Sequence, residues 1–234
     1  MFVHKAKLRW HLDLVSHPTT HAWVLNLYRA GEHHPQTVTD YFPYEHAPSE
    51  HLREKVKRHA GDERRHTALY TRAIKKLGFE PFELHGHDVF NQVIRDCTPC
   101  SFAIADGDKQ DVKTEKLANF LAHAHCLERR IARSLDFHQE ACERSGSKDI
   151  LKVVTAVHAD EDRHLTYTKE AVYSLLPKSR ANEVFALHSQ AEAAADKAFS
   201  AFQVRNFQRL HGKHLSLPKK LFYKACAFLM EASQ

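Results

Sequence analysis

Glycine and proline occupy only a few short stretches of this 234-residue chain, and the segments between them are long enough to read as helices and little else. The first helix is expected from Thr19 to about Phe42, with Trp23, Leu27 and Ala30 at helical spacing and Pro35 kinking it. Two prolines punctuate residues 43–48. Ser49 then stands where an N-cap belongs, and a charged helix runs to Leu77 and stops at Gly78. Residues 79–111, broken by Pro81, Gly86, Pro99 and Gly107, read as a long connection with one short helix at about Val89–Arg95. A third long helix covers about Val112–Arg144 and ends at Gly146. Ser147 is expected to cap a fourth, which Pro177 closes after Leu176. A fifth runs from about Ser179 to His211, and Pro218 opens a last short helix to Ala232.

The two hairpins repeat each other. Aligning Ser49 with Ser147 puts Leu52 on Ile150, Val56 on Val154, Ala73 on Ala171 and Ile74 on Val172, as a duplicated helix pair would. The expected fold is therefore all-α: a four-helix bundle over about 19–176 with one long crossover, plus further helices over 179–232, in one domain spanning 1–234.

Composition narrows the class. With 43% hydrophobic and 27% charged residues and a mean hydropathy of −0.52, disordered, fibrous and membrane-embedded chains are excluded, and no stretch is apolar enough to span a bilayer. Residues 1–5, Met-Phe-Val-His-Lys, lack the apolar core of a secretory signal, and five unevenly spaced cysteines suit a reducing compartment, so a cytoplasmic location is expected. A formal charge of +5 admits an acidic partner, an anionic substrate or RNA without selecting among them. The outlying number is 20 histidines, an unusual supply of metal ligands and proton carriers.

The duplication carries the chemistry. It superimposes 62–66, Asp-Glu-Arg-Arg-His, on 160–164, Asp-Glu-Asp-Arg-His, so one pattern, Asp-Glu-x-Arg-His, occurs twice. Glu63 and His66, like Glu161 and His164, lie three residues apart and project from one helix face, so each pair converges on a point. Each Glu lies 14 residues beyond its serine, which puts the pairs at one height in the bundle. Each preceding antiparallel helix offers a carboxylate at matching height: Glu32, 31 residues before Glu63, and Glu128, 33 before Glu161. Four carboxylates and two imidazoles neutralise two divalent cations, and mixed oxygen and nitrogen donors suit iron or manganese rather than structural zinc. A single Glu-x-x-His arises easily in a histidine-rich chain; two five-residue copies at equivalent positions, each with its upstream Glu, point to a metal site.

This pattern, one Glu on each of two helices and Glu-x-x-His on each of the other two, resembles the ferritin-like di-iron carboxylate superfamily. The resemblance implies Glu32, Glu63, His66, Glu128, Glu161 and His164 as ligands of two iron ions, with an iron–manganese pair as the alternative. The longer Asp-Glu-x-Arg-His form is similar to that of the O2-activating di-iron oxygenases and oxidases. It implies that Asp62 and Asp160 orient the ligand histidines from behind. His59, four residues before Glu63, resembles the extra histidine ligand of di-iron N-oxygenases, where that residue serves the other half-site; a histidine on the surface or behind the ligands is the favoured alternative. His125 and His158 read as satisfied or exposed imidazoles.

The resemblance implies a non-haem di-iron oxidoreductase that uses O2 to hydroxylate, N-oxygenate or oxidatively cleave a small, partly apolar substrate. The alternatives are a ferroxidase or peroxidase-type iron-handling protein and, favoured only by the basic balance, a tRNA-modifying hydroxylase. No glycine fingerprint for flavin or nicotinamide is visible, so an external ferredoxin or reductase is implied as electron donor; a homodimer is compatible. Cys97 and Cys100 lack the second Cys-x-x-Cys of a rubredoxin-type iron centre, which argues against a complete rubrerythrin and leaves an ordinary loop pair. Phe199, Phe202 and Phe207 are expected either to line a substrate cavity or to fill core. The last helix sets Lys219, Lys220 and Lys224 against an apolar stripe, Leu221, Phe222, Phe228 and Leu229, which is expected to pack on the core, with a membrane surface or a partner as the alternative.

Overall fold

A computed structural model of the chain describes residues 2–32, 42–84 and 86–232. Among the described residues all regular structure is helical, in eight α-helices: α1 (Phe2–Val15), α2 (Pro18–Glu32), α3 (Glu50–Lys76), α4 (Phe90–Cys97), α5 (Gln110–Ser145), α6 (Lys148–Leu175), α7 (Lys178–His211) and α8 (Leu217–Ala232). None of them is long and apolar enough to cross a membrane. The expected continuation of α2 through Pro35 lies outside the described residues.

Local chemistry sets the ends. The Ser49 hydroxyl accepts from the Leu52 N–H at the start of α3. Gly146 closes α5 at φ 72°, a left-handed conformation in which a side chain is strained, and it lets the Ser147 N–H reach the Cys142 carbonyl at 2.9 Å. Ser147 does not cap α6 as expected. It holds the N-cap position, but its hydroxyl pairs with that of Ser145 at 2.9 Å. Ser49→Ala is therefore expected to lower unfolding free energy by about 1 kcal/mol, whereas Ser147→Ala should cost no more than a few tenths. Urea midpoints of the two variants check this contrast.

α2 and α3 run antiparallel, with Arg29 bonded to Thr71 and Glu32 facing His66, and α5 and α6 form a tight hairpin about Gly146. The two pairs meet along α3 and α6, which are also antiparallel: Asp62 faces His164 while His66 faces Asp160. All four aligned pairs, Leu52/Ile150, Val56/Val154, Ala73/Ala171 and Ile74/Val172, are buried. Two apolar layers result. One contains Leu52, Val56, Phe120, Leu121, Tyr167 and Val172; the other contains Leu25, Tyr70, Ile74, Leu135, Val154 and Val157. Along α3 the residues between the layers are 57–69, along α5 they centre on Glu128, and along α6 they are 158–166. The polar motif is thus held between two dry cores that fix its height on each helix.

The remaining helices cover this frame. α1, left unassigned by the sequence reading, packs on α2 and α5, and α7 packs on α4, α5 and α8. The expected burial of the last helix's stripe holds only in part. Tyr223 and Ala227 are buried and Phe222 half-buried, packed against α7 and against Leu14 and Trp23 of α1 and α2, but Leu221, Phe228 and Leu229 face away from these helices and are exposed. The aromatic residues of α7 divide: Phe207 is core, Phe199 lines a cavity and Phe202 is exposed.

Candidate metal centre

The structure brings Glu32 (α2), Glu63 and His66 (α3), Glu128 (α5) and Glu161 and His164 (α6) together between the two apolar layers, all six almost completely buried. Their donor atoms form two groups, each converging within 4.8 Å: Glu32, Glu63, His66 and Glu161 in one, and His59, Glu63, Glu128 and His164 in the other. Glu63 belongs to both groups. Glu161 also reaches both, its carboxylate lying 3.5 Å from His66 Nδ1 and 3.1 Å from His164 Nδ1. The arrangement therefore pools the two expected half-sites around Glu63 and Glu161.

His59 is not a surface residue. It is 1% exposed, and its Nε2 lies 3.0 Å from Glu128 and 3.2 Å from Glu63, on the side of the site that holds His164. Its Nδ1 faces the Tyr167 hydroxyl at 2.7 Å, which leaves Nε2 turned toward the carboxylates. Its ring stacks on that of His164 with centroids 3.6 Å apart.

The imidazoles are oriented crosswise. His66 Nε2 donates to Asp160 at 3.0 Å and His164 Nε2 to Asp62 at 3.3 Å, so each histidine is held by the aspartate of the other repeat. That fixes Nδ1 of both rings toward the carboxylates. Arg65 and Arg163 each bond both aspartates and tie the repeats together at the outer end of the site. Each arginine lies three residues after its own aspartate, which accounts for the fourth letter of the motif. Burial opposes ionisation of these aspartates, yet the hydrogen bonds from His164 and Arg65 to Asp62, and from His66, Arg65 and Arg163 to Asp160, hold both below the usual carboxylate range.

Inside the site the balance is reversed. Burial and then the surrounding carboxylates push Glu63 and Glu161 well above their ordinary range, and burial keeps His59 neutral. No hydrogen bond reaches Glu63 Oε1, Glu128 Oε2 or Glu161 Oε1. Buried carboxylate oxygens without donors lack a cation, and this donor set fits one. No cysteine belongs to either group, so hard to borderline divalent ions of the iron and manganese type fit better than a thiolate-bound metal.

Two residues of the site escaped the sequence reading. Tyr70, four residues after His66 on the same face, is wholly buried; its hydroxyl has no hydrogen-bond partner, and burial and the charges of Glu32, Glu161 and Glu63 keep the phenol protonated. Tyr167, three residues after His164, holds His59. Both follow a motif histidine at helical spacing, a signal too common among core aromatics to have been singled out. His125 and His158 lie elsewhere: the first contacts Leu165 and Thr168, the second Asp136 at 2.9 Å. Cys97 and Cys100 are half-buried free thiols beside α4.

Comparison of the chain with protein-family models, curated proteins and solved structures gives no match.

Proposed function

We propose that the protein is a di-iron oxygenase or oxidase of the ferritin-like di-iron carboxylate type. The observation that carries the reading is the cavity that reaches the candidate centre at Glu32. About 450 Å³ in volume, it is walled by Trp10, Leu27, Phe90, Ile131 and Phe199, and Glu32 of the ligand set forms part of its lining. Such a volume holds a small organic molecule, and its walls are mainly apolar. Iron handling needs an ion path but no apolar chamber, so the cavity favours an organic substrate over the ferroxidase alternative.

Two irons held by Glu32, Glu63, His66, Glu128, Glu161, His164 and His59 would supply reduction of O2 and oxidation of the substrate. The chain's own residues do the rest. Asp62 and Asp160 fix the imidazoles, the two apolar layers exclude water, and Tyr70 holds a phenolic proton beside the carboxylates. In the cavity wall, Arg130 pairs with Asp196 at 2.7 Å and lies over the Phe90 ring at 3.8 Å, which adds a polar edge to a chamber whose walls are mainly apolar. The electrons come from a separate donor such as a ferredoxin and its reductase.

The test is to supply the iron-loaded protein with a chemical reductant, ¹⁸O2 and panels of arylamines, hydrocarbons and aldehydes, and to seek labelled or chain-shortened products by mass spectrometry. An oxygenase or oxidase converts a member of the panel. O2 consumed only in proportion to added Fe(II), with ferric iron accumulating, would select the iron-handling alternative. Ile131→Trp, which fills the chamber, is expected to cut conversion more than about tenfold while two irons remain bound.

A further inference from the structure

Behind α2 and away from the candidate di-iron centre lies a second convergence of metal-binding side chains, drawn from α2 and α5. His21 Nε2 and His138 Nε2 face each other at 3.1 Å, and Cys142 Sγ lies 3.8 Å from His21 Nε2. The three donors lie within 4.8 Å of one another, and all three residues are buried. These separations match those between ligands that share one ion at ~2.0 Å to nitrogen and ~2.3 Å to sulfur. We propose that His21, His138 and Cys142 form a mononuclear site for a soft monovalent transition ion, Cu(I).

Hydrogen bonding alone leaves this cluster over-subscribed. His21 Nε2 faces both His138 Nε2 and Cys142 Sγ, and a ring nitrogen offers either one proton or one lone pair, so one proton cannot lie on both lines. A cation at the centre meets all three donors. The surroundings prepare His138 for it. Its other nitrogen, Nδ1, faces His11 Nδ1 at 3.3 Å, and the Tyr28 ring meets it edge-on at 5.3 Å, so the imidazole is fixed with Nε2 toward the cluster. His11 in turn lines the cavity beside α1.

Charge selects the ion. The neighbours acting on buried His138 are the imidazoles of His11 and His21, and no carboxylate belongs to the group. Zinc bound to one thiolate and two neutral imidazoles would leave a net positive charge in an apolar interior, whereas Cu(I) and the Cys142 thiolate together are neutral. Thiolate and imidazole are also donors that a soft ion prefers, and the carboxylates of the neighbouring centre are not. The proton displaced from Cys142 leaves with solvent on binding, and no redox step is required.

The experiment uses full-length protein carrying Cys97→Ser and Cys100→Ser, which removes the half-exposed thiol pair as a competing copper site. Anaerobic titration with Cu(I) against a colorimetric chelator is expected to give one tightly held ion per chain. X-ray absorption should show sulfur and nitrogen ligands in a ratio of one to two. Adding Cys142→Ala, or separately His21→Gln, should weaken binding by about a hundredfold or more while two-iron loading is unchanged. Copper retained equally by both variants, an absorption edge without sulfur, or zinc held through the same competition when Cu(I) is not, would each overturn the proposal. The absorption measurement needs neither core variant, so it decides the matter even if both fold poorly.

Discussion

Glu161→Gln is expected to stabilise the metal-free protein and at the same time to destroy its capacity for two irons. The carboxylate is fully buried beside Glu63, Glu32 and Glu128, and without a cation the fold bears the desolvation of this group and the repulsion of its neighbours. Glutamine keeps the volume and removes the charge, so the apo protein should gain about 1–3 kcal/mol in unfolding free energy. Binding should suffer oppositely. Glu161 reaches both His66 and His164, so an amide in its place deprives both ion positions of an anionic oxygen. Iron stoichiometry is expected to fall below two per chain. Thermal melts in chelator, paired with iron analysis after anaerobic loading, read both halves of the prediction. Two irons retained at wild-type affinity would remove Glu161 from the ligand set.

Asp160→Asn is expected to weaken metal binding by about 10–100-fold, and to do so at the position occupied by His66 rather than His164. Asp160 shares a helix with His164, but the crosswise arrangement gives its carboxylate to His66 and to both motif arginines. Asparagine can still accept from His66, yet it no longer favours the more basic imidazole or draws Arg65 and Arg163 across the site. Titration with Co(II), whose spectrum reports each position, should show the first-repeat site lost first. Asp162→Asn is the control: that exposed carboxylate contacts only the rim around His158 and should leave both affinities unchanged. Loss confined instead to the His164 position would contradict the crossed geometry.

Much of this arrangement was legible because the chain states it twice. Gly146 and Pro177 mark the ends of α5 and α6, and the repeated Asp-Glu-x-Arg-His fixes which polar residues of α3 and α6 turn inward. The all-helical character and the meeting of Glu32, Glu63, His66, Glu128, Glu161 and His164 follow from spacing along single helices. What spacing cannot state is how helices cross. His59 shares the face of Glu63, but whether its ring serves its own repeat or the opposite one depends on how α3 leans toward α5 and α6. The crossed pairing of each aspartate with the other repeat's histidine depends on the same geometry. His138 and Cys142 share a face of α5 at i, i+4, but His21 lies more than a hundred residues before them, and no periodicity links it to the pair. α1 takes its place by packing on α2 and α5. The exposed side of α8 was misread because an apolar stripe shows that a face exists and does not show how much of it the neighbouring helices cover.

The central claim, two irons held between the repeats and reactive toward O2, is tested most directly by loading the purified protein anaerobically with Fe(II). Bound iron is counted after gel filtration, and the optical spectrum of the same sample is followed on mixing with O2. Two irons per chain and a rapid O2-dependent spectral change, both absent from Glu161→Gln, are the predicted result. Less than one tightly held iron per chain, or iron that binds equally well without Glu161, would contradict it.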